Sequence, residues 1–61
     1  MTKTSALHEF RAYMHDVRAD ARREGYSVDT IAYWFLFLDT LCASGRLDSM
    51  KAVQWAQSGP R

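Results

Sequence analysis

The sequence has little cysteine, histidine, proline or glycine, and this shortage excludes several kinds of small protein. Its 61 residues contain one cysteine, Cys42, so no internal disulfide can form. One cysteine and two histidines, His8 and His15, make none of the ligand clusters that hold structural zinc. The three glycines are single and far apart, so they form no phosphate-binding loop. We therefore expect neither a metal nor any other cofactor.

Long apolar runs and an excess of one charge are also missing. The longest uninterrupted apolar run is residues 31–38, which is far shorter than the roughly 20 residues of a membrane span. The first twenty residues contain no apolar segment typical of a signal peptide. Eight Lys and Arg residues nearly balance seven Asp and Glu residues. This composition predicts a cytoplasmic protein that does not associate with membranes.

A chain of this length has room for one domain, residues 1–61, and its core is small. Such a chain buries only about 60% of the surface that its unfolded form exposes. The stabilisation from that burial is about cancelled by the conformational entropy that folding removes. Because a disulfide and a metal are excluded, we expect a partner chain to complete the structure.

Glycines and short polar residues divide the chain into three helices. Gly25, Gly45 and Gly59 stand where helices end, and Thr4 or Ser5 is a candidate cap for the first helix. Later caps are expected at Ser27 or Asp29 and at Asp48. The predicted fold class is all-α: a long helical hairpin and a short C-terminal helix, completed by homodimerisation. The expected helices are about 5–24, 28–44 and 48–57, with 58–61 frayed.

The first helix carries one apolar stripe between flanks of opposite charge. At 100° per residue the stripe is centred on Phe10 and includes Met14 and Val17. This pattern is typical of a helix that packs between neighbours, with flanking charges that set partner and orientation. The basic flank consists of Arg11, His15, Arg18 and Arg22, and the acidic flank of Glu9, Asp16 and Asp20.

The second helix is apolar over nearly its whole circumference, with Leu36 opposite Trp34 and Leu38. One long and one short neighbour cannot cover such a helix. Leu36 must then either stay exposed or be covered by a second subunit, which predicts a two-fold homodimer. The third helix is too short to persist alone, and we expect it to dock on the first two helices or on a partner, through Met50 and Trp55.

Asp39 is the only charge between Ile31 and Ala43, and it needs a partner or solvent. The expected partner is Arg18, Arg22 or Arg46 at the rim of the fold. An ion pair across a subunit interface is the alternative.

These patterns predict a small non-catalytic regulatory protein that self-associates and binds a protein partner through apolar and aromatic helix surfaces. No set of polar groups converges on a pocket, so we expect no enzyme, no catalytic residue and no small-molecule substrate. The predicted interface residues are Phe10, Met14, Val17, Trp34, Phe35, Leu36, Phe37, Leu38, Asp39 and Trp55.

A small dimeric nucleic-acid-binding regulator is the alternative function. Arg11, Arg18 and Arg22, with Arg23 nearby, have the helical spacing needed to follow a phosphate backbone. The acidic flank of the same helix and the absence of arginine from the third helix make this the weaker interpretation.

Overall fold

Three α-helices and no strand make up the computed structural model, which describes all 61 residues. The helices are α1 over Lys3–Glu24, α2 over Thr30–Ala43 and α3 over Ser49–Ser58. The predicted all-α, three-helix fold is confirmed. No helix is long and apolar enough to cross a membrane.

Short polar side chains begin α1 and α2. The Thr2 hydroxyl accepts a hydrogen bond from the Ser5 N–H at 3.1 Å, so α1 begins two residues earlier than predicted. The Asp29 carboxylate accepts bonds from the N–H groups of Ile31 and Ala32 at 3.1 and 3.2 Å. These bonds satisfy backbone donors that have no partner within the helix, and they fix the orientation of α2 from its first turn.

Glycine ends α1 and also turns the chain after α3. Gly25 has φ 81°, and its N–H and that of Tyr26 both donate to the Ala21 carbonyl, at 2.7 and 3.0 Å. Gly59 has φ 76°, and the chain then turns so that Pro60 is half-buried beside Leu7 and neighbouring residues of α1. Ser58 is the last residue of α3, and Pro60 lies beside the first helix.

Contacts along the helices show that α2 returns along α1 and that α3 returns along α2. The Arg18 guanidinium, late in α1, donates to the Thr30 hydroxyl at the start of α2. Arg46, which follows α2, bonds to Glu9 early in α1. Because α1 is much the longest helix, the molecule is elongated, with extents of 35 × 20 × 17 Å.

The core forms where the apolar stripe of α1 meets Trp34, Leu38 and Leu41 of α2. Trp34 is fully buried, and the ring of Phe10 lies edge-on to it with centroids 5.0 Å apart. The Trp34 indole N–H donates to the Trp55 carbonyl at 2.9 Å, which attaches α3 to α2. The buried cluster consists of Ala6, Leu7, Phe10, Met14, Trp34, Leu38, Leu41 and Leu47.

No residue of α3 itself is buried. Trp55 is half-buried against the core as predicted, together with Ala52 and Ala56. Met50 does not dock on the first two helices, since its side chain is 70% exposed, and its predicted contact with a partner chain stays a prediction. Leu47, just before α3, fills the core position instead, because it precedes the helix and points back toward α1 and α2.

Acid should weaken the contact between α1 and the loop after α2. The Arg46 guanidinium donates a hydrogen bond to the Glu9 carboxylate at 2.7 Å, and this bond lowers the pKa of Glu9. The folded state then favours the charged carboxylate, so Glu9 stabilises the fold above its unfolded pKa and loses that contribution as the pH falls through its folded pKa. Carbon-13 NMR titration should show a pKa lower in the folded chain than in an unfolded peptide.

The matched variants for this titration are Arg46→Gln and Arg23→Gln. The first removes the hydrogen bond and should return the pKa of Glu9 toward its ordinary value. The second removes an arginine that pairs with Asp20 instead, so the pKa of Glu9 should not change. If Arg46→Gln leaves the Glu9 pKa where it was, the bond is not its cause. Because both side chains are partly exposed, we expect only a small change in unfolding free energy.

Candidate interaction surfaces

An open apolar groove of about 340 Å³ lies between α2 and α3. Small side chains at Ala52 and Ala56 keep it open, because they extend no further than the β-carbon. The carboxylate of Asp39 and the hydroxyl of Ser49 are the polar groups at its edge. The full lining is Phe35, Leu38, Asp39 and Cys42 from α2, and Ser49, Ala52, Val53 and Ala56 from α3.

Large apolar side chains around this groove are exposed to solvent. Phe35 and Val53 line it and are 49% and 57% exposed. Ile31 lies one helical turn before Phe35, and Met50 lies one turn before Val53, so each is beside its neighbour on the helix surface. Leu36 lies about 100° around α2 from Phe35, at the edge of this surface. All three are at least 48% exposed. We call these five side chains the α2/α3 face. They are exposed because α1 packs on other sides of α2 and no fourth helix is present.

Several predicted interface residues lie inside the core instead. Phe10, Met14, Trp34 and Leu38 are at most 3% exposed, so the chain's own helices already cover them. An apolar pattern does not separate core from interface positions, because both exclude water. The remaining predicted residues are Val17, Phe37 and Trp55, which are half-buried, and Phe35, Leu36 and Asp39, which are exposed.

The sequence prediction also missed parts of the exposed surface. Ile31 and Val53 were not among the predicted interface residues, although both belong to the α2/α3 face. The spacing of Ile31 four residues before Phe35 was the available signal for the first. No comparable signal marked Val53, because its exposure depends on how α3 is rotated against α2.

The expected ion pair between Asp39 and an arginine does not form. Arg46 bonds to Glu9, and Arg18 donates to the Thr30 hydroxyl. Asp39 is exposed at the rim of the groove without a hydrogen bond or salt bridge. Because the Asp39 carboxylate is exposed, water solvates its charge, and the carboxylate is stable without a cationic partner from the protein.

Three arginines of α1 form an exposed row. Arg11, Arg18 and Arg22 lie within about 40° of one another around the helix, and none has a carboxylate within salt-bridge distance. We call this row the basic stripe. Arg11 and Arg18 also line a cavity of about 300 Å³, which contains the Thr30 hydroxyl and is bounded by Pro60. The apolar floor of this cavity consists of Leu7, Phe10 and Met14.

The structure separates Arg23 from the basic stripe. Arg23 pairs with Asp20 one turn away on another side of the helix. Glu9 is likewise paired, with Arg46. Two of the three carboxylates of the acidic flank are therefore engaged by arginines outside the stripe, and only Asp16 is without a cation.

His8, His15 and Cys42 form no common site. Both histidines are exposed on α1, and Cys42 is half-buried on α2. The structure brings together no group of three or more His, Cys, Asp or Glu side chains able to hold a metal ion.

No protein-family model, curated protein or solved structure matches the chain. The α2/α3 face and the basic stripe are the two surfaces of the chain that suit binding.

Proposed function

We propose that this protein is a small non-catalytic interaction protein with a regulatory role, which self-associates through the α2/α3 face and binds a protein partner. The observation that carries the proposal is the α2/α3 face itself. Two of its five large apolar side chains line an apolar groove, the other three are exposed nearby, and none of the five carries a charge. Contiguous exposed apolar surface of this kind is typical of an interaction site.

The size of the face suits a dimer interface. Its five side chains expose on the order of 500 Å² of apolar surface, near the upper end for the largest patches on soluble monomers. The polar rim around them, which includes Asp39, Ser49 and Gln54, extends the face toward the roughly 800 Å² that each partner buries in a stable interface. Such an interface would cover about a fifth of the chain's 4372 Å² of accessible surface.

A second copy of the chain is the occupant that fits best. The face combines a groove, floored on α3 by Ala52 and Ala56, with the projecting side chains of Leu36 and Met50. A two-fold axis places the projections of each copy against the groove of the other. Asp39 is the one charged residue at the rim of the groove. Its carboxylate stays hydrated in the dimer, so association has only a small cost of charge desolvation.

Static light scattering over a concentration series, at 50 and 500 mM salt, tests self-association. We expect a mass near 14 kDa, twice the 7.0 kDa of one chain, at micromolar concentration and at both salt concentrations. Salt has little effect on burial of apolar surface, whereas it weakens pairs of exposed charges. A constant mass of 7.0 kDa up to millimolar concentration would overturn the dimer and leave the face to a different protein.

The proposed protein partner fits a second aromatic surface, on the side of α2 opposite the groove. The ring of Tyr13 lies 6.2 Å from that of Tyr33 and 6.1 Å from that of Phe37. Tyr13 and Tyr26 are 43% and 50% exposed. Tyrosine is enriched in protein interfaces because its ring is apolar and its hydroxyl forms hydrogen bonds.

Nearby acids favour a basic partner at this tyrosine surface. Partial desolvation raises the pKa of Tyr26, and Tyr33, Asp20 and Glu24 raise that pKa further. An arginine-rich partner would meet the Glu24 carboxylate, which has no salt bridge of its own, and the faces of the tyrosine rings.

The probe for the tyrosine surface is a short arginine-rich peptide, titrated into isotopically labelled protein. The NMR signals of Tyr26 and Tyr33 should shift, while those of Phe35 in the α2/α3 face should not. A peptide of the same length with every arginine replaced by glutamate serves as the control. Shifts confined to the α2/α3 face, or no shifts at all, would contradict this choice of surface.

A further inference from the structure

The basic stripe of α1 lies outside the surface proposed for self-association. Arg11, Arg18 and Arg22 project from α1, whereas the α2/α3 face belongs to the other two helices. Exposed arginines usually find a carboxylate in a chain with nearly equal charges. Here the available carboxylates of Glu9 and Asp20 are bonded to Arg46 and Arg23 instead.

The distribution of paired and unpaired charges makes one side of α1 positive. All three arginines of the stripe are free of carboxylates, and His15 lies between Arg11 and Arg18 on the same side. The acidic flank lies on the opposite side of the helix, and two of its three carboxylates are paired. The repulsion of phosphates by this flank, which weakened the nucleic-acid interpretation of the sequence, is therefore small.

The length of the stripe favours a polymer over a small anion. Arg11 and Arg22 are eleven residues apart, so the row extends about 16 Å along the helix axis. One phosphate or carboxylate cannot reach three guanidinium groups over that distance. Duplex DNA carries one negative charge per roughly 1.7 Å of axis, so a phosphate is available to each arginine.

The cavity beside Arg11 and Arg18 adds a neutral contact. The Thr30 hydroxyl lies in it, 3.4 Å from a guanidinium nitrogen of Arg18. Hydroxyl groups next to arginine are frequent partners of phosphate oxygens. Pro60 bounds the far side of the cavity, and no acidic side chain lines it.

We propose that the basic stripe, with Thr30 at its edge, is a binding site for the phosphodiester backbone of a nucleic acid. The contacts are to phosphate, so binding is independent of base sequence. The site is complete in one chain and does not depend on the proposed dimer, which would place two such stripes on one particle.

Fluorescence anisotropy with labelled 20-base-pair duplex DNA and a 20-nucleotide single strand, at 20 mM salt, tests this site. The test variant is Arg11→Gln/Arg18→Gln. The matched control, Arg23→Gln/Lys51→Gln, removes the same charge from other exposed positions. All four side chains are exposed, so circular dichroism should show both variants folded.

The wild-type chain should bind duplex with a log–log salt slope of about −3 for three phosphate contacts. The test variant should bind at least about 100-fold more weakly at 20 mM salt, with a slope smaller by about 2. The control should stay within roughly threefold of wild type. The comparison of duplex with single strand identifies which form of nucleic acid the stripe prefers.

Three results would overturn the proposal. The first is absence of binding to either nucleic acid at 20 mM salt. The second is an equal loss of affinity in the control variant, which would show that net charge, and not the stripe, determines binding. The third is displacement of the DNA by polyglutamate at an equal concentration of charge, which would assign the stripe to an acidic protein.

Discussion

Replacement of Trp34 with alanine should leave the protein largely unfolded at 25 °C. The side chain is fully buried, its ring contacts the ring of Phe10, and its indole N–H holds α3 through the Trp55 carbonyl. Removal of a buried tryptophan costs about 3–5 kcal/mol. A single core in a domain of this length rarely supplies more than about 3–5 kcal/mol, so the loss takes most or all of its stability. Far-UV circular dichroism with urea titration measures the result.

The conservative variant Trp34→Phe separates packing from the hydrogen bond. It keeps an aromatic ring in the core but removes the indole donor. The Trp55 carbonyl would still accept bonds from the Gly59 N–H at 3.1 Å and the Ser58 hydroxyl at 3.2 Å, so no acceptor is orphaned. We expect a folded protein destabilised by about 1–2 kcal/mol. If Trp34→Ala unfolds at the same urea concentration as wild type, the core is wrongly assigned.

The second large effect should come from Leu36→Glu, which should dissociate the proposed dimer without unfolding the chain. Leu36 is 60% exposed within one chain, so a charge there meets water in the monomer. In the dimer the same carboxylate would be buried without a cation, which costs several kcal/mol. We therefore expect the dissociation constant to rise at least about 100-fold, measured by sedimentation equilibrium.

Thr40→Glu is the control on the same helix. Thr40 is one turn from Leu36, is exposed, and donates its hydroxyl hydrogen bond to the Leu36 carbonyl at 2.9 Å. The variant Thr40→Glu adds the same charge as Leu36→Glu, but at a position that already has a polar side chain. Its effect on association should therefore be small. Equal dissociation by both variants would contradict the assignment of Leu36 to the interface, as would equal tolerance of both.

The fold was predictable because each helix is bounded by local signals. Gly25 and Asp29 end one helix and begin the next through bonds that involve only near neighbours in sequence. The apolar stripe centred on Phe10 also identified the side of α1 that meets the core. These features depend on residues close in the chain, and the sequence contains them directly.

The surfaces were less predictable because they depend on how the helices are rotated against one another. Met50 and Trp55 have similar apolar character, yet one is exposed and the other is half-buried. Arg46 was one of the expected partners of Asp39, but the turn after α2 brings the Arg46 guanidinium to the Glu9 carboxylate. No local pattern shows which member of such a set faces the core.

The shallow attachment of α3 links its own order to whatever the α2/α3 face binds. Since α3 buries none of its residues, its local opening costs less free energy than opening of α1 or α2. The groove exists only while α3 is docked, because four of its lining residues belong to that helix. By thermodynamic linkage, any occupant of the groove shifts α3 toward its closed position, and the concentration of the occupant sets how often the helix opens.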